Sequence, residues 1–440
     1  MKIVHLAAGA GGMYCGACLQ ANTLAAALRL AGADVLLVPA YTPIRTDEES
    51  QSVDRVVFGG INVYLQQRSA LFRRTPWVLD RLLDHPALLR RLGRRSAAVR
   101  PESLGELCIS VLKGEEGRQR KELEKTLRWL EEIRPELVHL STALLAGVAR
   151  QIVRRLRVPV VSSLSGEDVF LERLPEPHYS AARAVLRERA ADLAALIAPS
   201  RYYAGFMAEY LGALAGRIHV VPPGLNLAGH GLPPAPPPGA TSGGAPRPCV
   251  TIGYLGRICE EKGLHQLAEA FCLLAEDRDL PPTRLVAAGY LGDADRPYLR
   301  QIEARVGERG LADRFRYLGE VDRAEKIAFL QSLDLLSMPA VYREPKGLPV
   351  LEAWANGVPV VVPAHGVFPE LIADTGGGVL YEPHDAASLA AALGRLIEDP
   401  QEAAACGRRG HQAVAERYHA ELMARRTIAV YERVLGKLPG

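Results

Sequence analysis

Residues 343–363 read REPKGLPVLEAWANGVPVVVP. Glu344 stands in a loop opened by Pro345 and Gly347. Pro349 suits the first helical position, where a missing N–H costs nothing. A short helix is expected over residues 349–356, with Gly357 as a left-handed stop. Residues 358–362 then form an apolar, β-branched run, the pattern of a strand buried in a parallel sheet. By this count Glu352 falls in the first turn of the helix, and the N–H groups of Gly347 and Leu348 point outward. A helix N-terminus built this way favours an anionic ligand, because its amides are unpaired and its dipole is positive there. A plainer reading has Glu352 complementing the helix dipole and leaves Glu344 solvated.

Working outward, a chain of 440 residues suits two domains of about 200 residues each. Hydrophobic residues make up 48%, enough for two cores, and a net charge of +3 gives no global field of the kind a nucleic-acid binder carries. Seven cysteines at irregular spacing do not form a disulfide framework and suit a reducing cytoplasm. The opening MKIVHLA has too short an apolar run for a signal-peptide core and reads as a first strand. No stretch approaches the roughly 18 apolar residues of a membrane span.

The first half alternates strands and helices. Residues 2–7, 34–38, 137–140, 159–164, 195–198 and 218–221 read as strands, and residues 19–30, 118–133, 143–156 and 181–194 as helices. Residues 55–65 carry two short strand-like runs. This is the opening of a Rossmann-like sheet, but the glycines of residues 9–16 lack clean dinucleotide spacing. Cys15 and Cys18, as C-G-A-C, are read as small packing residues, since no second Cys or His pair at zinc spacing accompanies them. The loop Ser165-Gly166-Glu167-Asp168 follows a strand at its carboxyl end, where open α/β sheets place ligands. Glu167 and Asp168 are candidate acid/base groups or hydroxyl ligands, and a helix-capping role for the loop stands beside that. His5, His139, His219, His265 and His365 have no partners at ligand spacing and are taken as structural or solvated.

Residues 229–248 are rich in Pro, Gly and Ser and read as an extended linker. The alternation restarts beyond it. A strand over residues 249–255 leads into Gly256-Arg257-Ile258-Cys259-Glu260-Glu261-Lys262-Gly263-Leu264. Arg257 and Lys262 would set two cations at one helix N-terminus, which suits a diphosphate; arginine can bind it bidentately.

The two motifs together, Glu344 and Glu352 with seven residues between them and the block from Gly253 to Leu264, resemble the donor-site motifs of glycosyltransferase family 4, the large retaining family with the GT-B fold. The resemblance continues through Leu351-Glu352-Ala353, Gly357 and the turn from Gly366 to Glu370, and covers nearly the whole chain outside residues 66–120. It departs at Lys346, where the family usually has an aromatic or small residue, and at Ser165, where many relatives carry histidine. It implies an α/β GT-B architecture of two Rossmann-like domains facing across a cleft. Residues 1–228 would form the acceptor side, with a helical insertion at about 66–120. Residues 249–415 would bind the nucleotide sugar, and residues 416–440 would cross back to the N-terminal domain.

The implied reaction is retaining transfer of a hexosyl group from a nucleoside diphosphate sugar, UDP-sugar by frequency in the family, with neither metal nor cofactor. Arg257 and Lys262 would neutralise the diphosphate, Glu344 would hold sugar hydroxyls, and Glu352 the ribose hydroxyls. Lys346, Gly347 and Leu348 would line the donor pocket, and Gly11 and Gly12 match the glycine loop facing the donor phosphates. Ser165 would bind a sugar hydroxyl. Two rivals remain, a nonhydrolysing sugar-nucleotide epimerase of the same architecture and a non-catalytic sugar-nucleotide-binding protein. Residues 68–100 hold nine Arg and two Asp among Leu, Phe and Trp. They read either as helices packed over the sheet or as a cationic amphipathic surface touching the inner membrane face, which would suit a lipid or membrane-associated glycan acceptor.

Overall fold

The computed structural model describes residues 1–9, 13–69, 72, 104–212, 215–232 and 249–436. Gly11, Gly12, most of residues 68–100 and most of the linker at 229–248 lie outside them. The chain forms two compact units, one of Met1–Gly224 with Ala420–Gly440 and one of Leu225–His419. Composition alone ended the first domain at 228, whereas the contacts end it at Gly224. The reason is hydrogen bonding: Arg323 donates to the carbonyls of Asn226 and Ala228, at 2.8 Å each, and ties this stretch to the second unit.

The first unit holds a six-stranded parallel sheet in the order β2-β1-β3-β4-β5-β6. Its strands are β1 Lys2–Ala7, β2 Asp34–Pro39, β3 Leu137–Leu140, β4 Val160–Ser163, β5 Ala195–Ala198 and β6 Ile218–Val220. Four of them are buried almost throughout, as strands covered by helices on both faces must be. The final helix, Ala420–Val434, belongs to this unit. Its Met423, Ala424, Val430 and Tyr431 share a core with Leu24 and Leu28 of the helix Gly16–Leu30. Tyr431 also reaches through to His139 on β3, with 2.7 Å between its hydroxyl and Nδ1.

Two local expectations change. Residues 55–65 hold no strand; the helix Gly60–Arg68 begins there. Val63 and Gln66, one helical turn apart, are both buried. Gln66 donates to the buried Glu122 at 2.8 Å, so tertiary packing overrides the β-branched local pattern. The single helix expected over 143–156 is broken into a 3-10 turn Ala143–Val148, a short α turn and a π turn Ile152–Leu156. At Gly147 a Cβ atom would come within 2.2 Å of the Val111 carbonyl. The helix Gly105–Leu112 crosses too closely there for any side chain.

The second unit repeats the architecture in the order β12-β11-β10-β7-β8-β9. The strands are β7 Val250–Leu255, β8 Thr283–Ala288, β9 Phe315–Tyr317, β10 Leu335–Ser337, β11 Val360–Pro363 and β12 Gly378–Tyr381. The order reverses between β10 and β7. Open α/β sheets bind ligands at such a switch point, outside the carboxyl ends of the strands. Both motif loops of the second unit emerge there. Among the described residues, no helix is long and apolar enough to cross a membrane.

Candidate functional site

The loop after β7 ends in a 3-10 turn, Glu260–Lys262, and then the helix Leu264–Glu276. The loop after β10 runs into the helix Leu348–Ala355. The two loops are pressed together. The Val341 N–H donates to the Glu261 carbonyl at 2.9 Å. A Cβ at Gly263, whose φ is +77°, would lie 1.8 Å from the Pro339 carbonyl oxygen. Only glycine fits that crossing.

This contact brings Lys262 to Glu344. The Lys262 ammonium lies 2.9 Å from Glu344 Oε2 and also donates to the Tyr342 hydroxyl. Tyr342 in turn donates to the same carboxylate oxygen. The other oxygen, Oε1, accepts the backbone N–H groups of Lys346 and Gly347 at 3.2 and 3.3 Å. Glu344 is only 6% exposed. Burial alone would raise its pKa. The Lys262 charge and the hydrogen bonds from Tyr342, Lys262 and Gly347 outweigh that and hold it at about 2. Glu344 is therefore an anion near neutral pH, and its four donors fill the roughly four acceptor positions of a carboxylate.

One expectation about this loop is corrected by that geometry: the Gly347 N–H turns inward to Glu344. Gly347 itself takes the left-handed conformation as the cap of the helix, with φ of 68°, and Leu348 is the first helical residue. Lys346 is buried beside it.

Arg257 is positioned by its neighbours. Its Nε donates to the buried Cys259 sulfur at 3.2 Å, and its main-chain oxygen accepts from Tyr254 at 2.8 Å. One terminal amino group lies 3.9 Å from Glu261, beyond hydrogen-bond reach. The guanidinium's outer edge therefore makes no hydrogen bond among the described residues. Lys262 keeps one of its three N–H donors unused among the same residues. Two cations with open donors thus sit on one loop beside a helix N-terminus, an arrangement that can hold a diphosphate.

Glu352 lies in the second turn of its helix, because the helix begins at Leu348; the first turn holds no acidic residue. Its partner is Lys326, whose ammonium donates to Oε1. The side chains are 10% and 13% exposed, so the pair is nearly desolvated. The following turn is tied to the chain entering this unit: Asn356 Nδ2 lies 2.9 Å from His230 Nδ1.

In the first unit, Gly166 takes a positive φ of 103° and caps the five-residue helix Glu167–Leu171. Glu167 is 1% exposed. It accepts from Thr142 Oγ1 at 2.7 Å, the Ala143 N–H at 2.9 Å and the Ser165 N–H at 2.8 Å, and the Tyr203 hydroxyl oxygen lies 3.2 Å away. This is the pattern of an anchor tying the turn at Thr142 and Ala143 to the loop at Ser165. Asp168, 5% exposed, accepts from the Tyr203 hydroxyl at 2.5 Å. Burial raises its carboxyl to about 6; the Tyr203 hydrogen bond opposes the rise and the nearby Glu167 and Glu172 charges add to it. Ser165 is half-buried, with its hydroxyl 3.4 Å from Glu167.

Four residues escaped sequence reasoning: Tyr342, Cys259, Lys326 and Tyr203. Tyr342 and Cys259 carried a faint signal, because each lies two residues from a motif position. Lys326 and Tyr203 carried none, being 26 and 35 positions from Glu352 and Asp168.

Residues 244–413 match the family described as Glycosyl transferases group 1, and residues 109–228 match Glycosyltransferase Family 4. The 2-deoxystreptamine glucosyltransferase of Streptomyces kanamyceticus is 30% identical over 319 residues, covering 68% of this chain and 77% of that enzyme. A GDP-mannose-dependent alpha-(1-6)-phosphatidylinositol monomannoside mannosyltransferase of Mycolicibacterium smegmatis is 30% identical over 277 residues, 60% of this chain and 67% of that one. Among solved structures, the sucrose-phosphate synthase of Thermosynechococcus elongatus superposes with a TM-score of 0.71 at 18% identity, over 100% of both chains.

Proposed function

The chain belongs to glycosyltransferase family 4 and has the GT-B fold, and from that premise we propose that it moves a hexosyl group, with retention, from a nucleoside diphosphate sugar to a glycan or lipid acceptor. The observation that carries this reading is the pair Arg257 and Lys262. Both present open donors on one loop at the switch point of the second sheet. The leaving diphosphate binds these cations, and they stabilise the charge that develops as the bond between the anomeric carbon and the phosphate oxygen breaks. The acceptor oxygen attacks the same face, and its proton passes to the departing phosphate oxygen. Glu352, held by Lys326, takes the ribose hydroxyls. Glu344 acts on the lysine and the loop.

The nucleoside and sugar are tested among UDP- and GDP-sugars. The first class is the expectation from family frequency, and the second is named in the mannosyltransferase relative. The phosphatidylinositol monomannoside in that relative's name favours a lipid-bearing acceptor here too, reached from the cytoplasmic face of the membrane; residues 68–100, the expected contact, lie mostly outside the described residues. The deciding experiment is nucleoside diphosphate release with and without added acceptor. Release that depends on acceptor supports transfer. Conversion of the donor sugar without acceptor indicates an epimerase, and binding with neither reaction indicates a binding protein.

A further inference from the structure

Lys262 is a flexible side chain, and a flexible ammonium loses rotamer entropy whenever it is fixed on a ligand. Here it is already fixed. It sits 2.9 Å from Glu344 Oε2, donates to the Tyr342 hydroxyl, and lies over the Tyr342 ring at 4.8 Å from its centroid. Tyr342 accepts from Lys262 with its oxygen and donates its one proton to Glu344. The three side chains form a closed triangle. Closure is imposed by the backbone, since the loops carrying Lys262 and Tyr342 are joined at Val341 and Glu261 and touch at Gly263 and Pro339.

We infer that Tyr342 is a positioning residue for the diphosphate-binding lysine, aiming its one unused N–H outward while Glu344 balances its charge. Glu344 alone would leave the ammonium free to rotate about a single contact. The second contact, from Tyr342, removes that freedom. Burial, together with the charge of Glu344 and the hydrogen bond to it, pushes the Tyr342 hydroxyl well above its ordinary range. The hydroxyl therefore stays protonated and keeps donating. The proposed role rests on the diphosphate reading of Lys262, but the triangle itself is testable without any ligand.

The test uses Tyr342→Phe, which keeps the ring and removes only the hydroxyl. In the unliganded protein, an amine-reactive acetylating reagent is added in trace amounts and the rate at Lys262 is read by mass spectrometry. The variant is expected to label several-fold faster than wild type, with its melting temperature little changed. Equal rates would overturn the proposed positioning. Calorimetric binding of UDP and GDP then gives a double-mutant cycle with Lys262→Ala. Loss of one hydrogen bond to a charged group corresponds to about tenfold weaker binding in Tyr342→Phe, and no further loss is expected once Lys262 is gone. Losses that multiply independently would show that Tyr342 acts elsewhere. If labelling changes as expected while neither nucleotide binds wild type, the triangle stands and the diphosphate reading falls.

Discussion

The Lys262 ammonium lies 2.9 Å from Glu344 Oε2 across two loops whose motifs are 82 residues apart in sequence. One loop carries the cation of the proposed diphosphate site, and the other carries the anion paired with it. Glu344 is thereby tied to the charge balance of the site. Glu344→Gln should lower turnover and also weaken bare nucleoside diphosphate, because Lys262 loses its counter-charge. Kinetics and calorimetry on the same variant check this. Unchanged nucleotide affinity beside a large loss of turnover would return Glu344 to direct contact with the sugar.

The buried pair of Lys326 and Glu352 gives a stability prediction. Removing one partner leaves a charge that is hardly exposed and has lost its main counter-charge, at a cost of about 3–5 kcal/mol. Lys326→Met should lower the urea midpoint sharply, and the double variant Lys326→Met, Glu352→Leu should recover most of it. Nucleotide binding should not recover with it, because Glu352 is then absent. Chemical denaturation with and without UDP or GDP separates the two effects.

Stability should fall on acidification through His5. Its ring is 1% exposed, stacks on His139 at 4.3 Å, and has no hydrogen-bond partner for either nitrogen among the described residues. Burial lowers its pKa from 6.5 to about 4. The folded state therefore resists the proton that the unfolded chain accepts. Above pH 6.5 neither state binds it and stability is unaffected. Between about 6.5 and 4 only the unfolded chain takes it up, so stability drops, reaching about 3 kcal/mol of loss below pH 4. Burial and the neighbouring His5 lower His139 as well. His5→Leu should flatten the pH dependence of the urea midpoint between pH 7 and 5; an unchanged slope would contradict the burial argument.

The loop of the first unit sets a buried scaffold residue, Glu167, beside the half-buried Ser165. Glu167→Ala removes the acceptor for Thr142, Ala143 and Ser165 and should destabilise by several kcal/mol. Ser165→Ala should leave stability and the shape of the pH–rate profile intact with a modest rate loss. Thermal denaturation of the two variants side by side, with pH–rate profiles for Ser165→Ala, checks both.

The strands and the two motif loops were legible because their signals are local. Residues 358–362 are apolar and β-branched, Gly357 stops a helix, and Arg257 and Lys262 lie five apart. The one-residue slip at Leu348 shows the limit of such reading: Pro349 fits the first helical position and the second alike, and the shift moved Glu352 out of the first turn. Partners were not legible. Nothing around Glu344 in sequence announces that its four donors come from its own loop and from Lys262. Nothing local announces that Gln66 would turn a β-branched run into a helix by reaching Glu122. Both depend on which elements the fold brings together.

The most direct measurement is calorimetric titration of wild type, Arg257→Ala and Lys262→Ala with UDP and GDP, followed by kcat/KM with the matching nucleotide sugar. The proposed donor site predicts that one nucleotide binds wild type, that each substitution weakens it strongly, and that each costs roughly 2–4 kcal/mol of transition-state stabilisation. Binding and kcat/KM within twofold of wild type for both variants would contradict it.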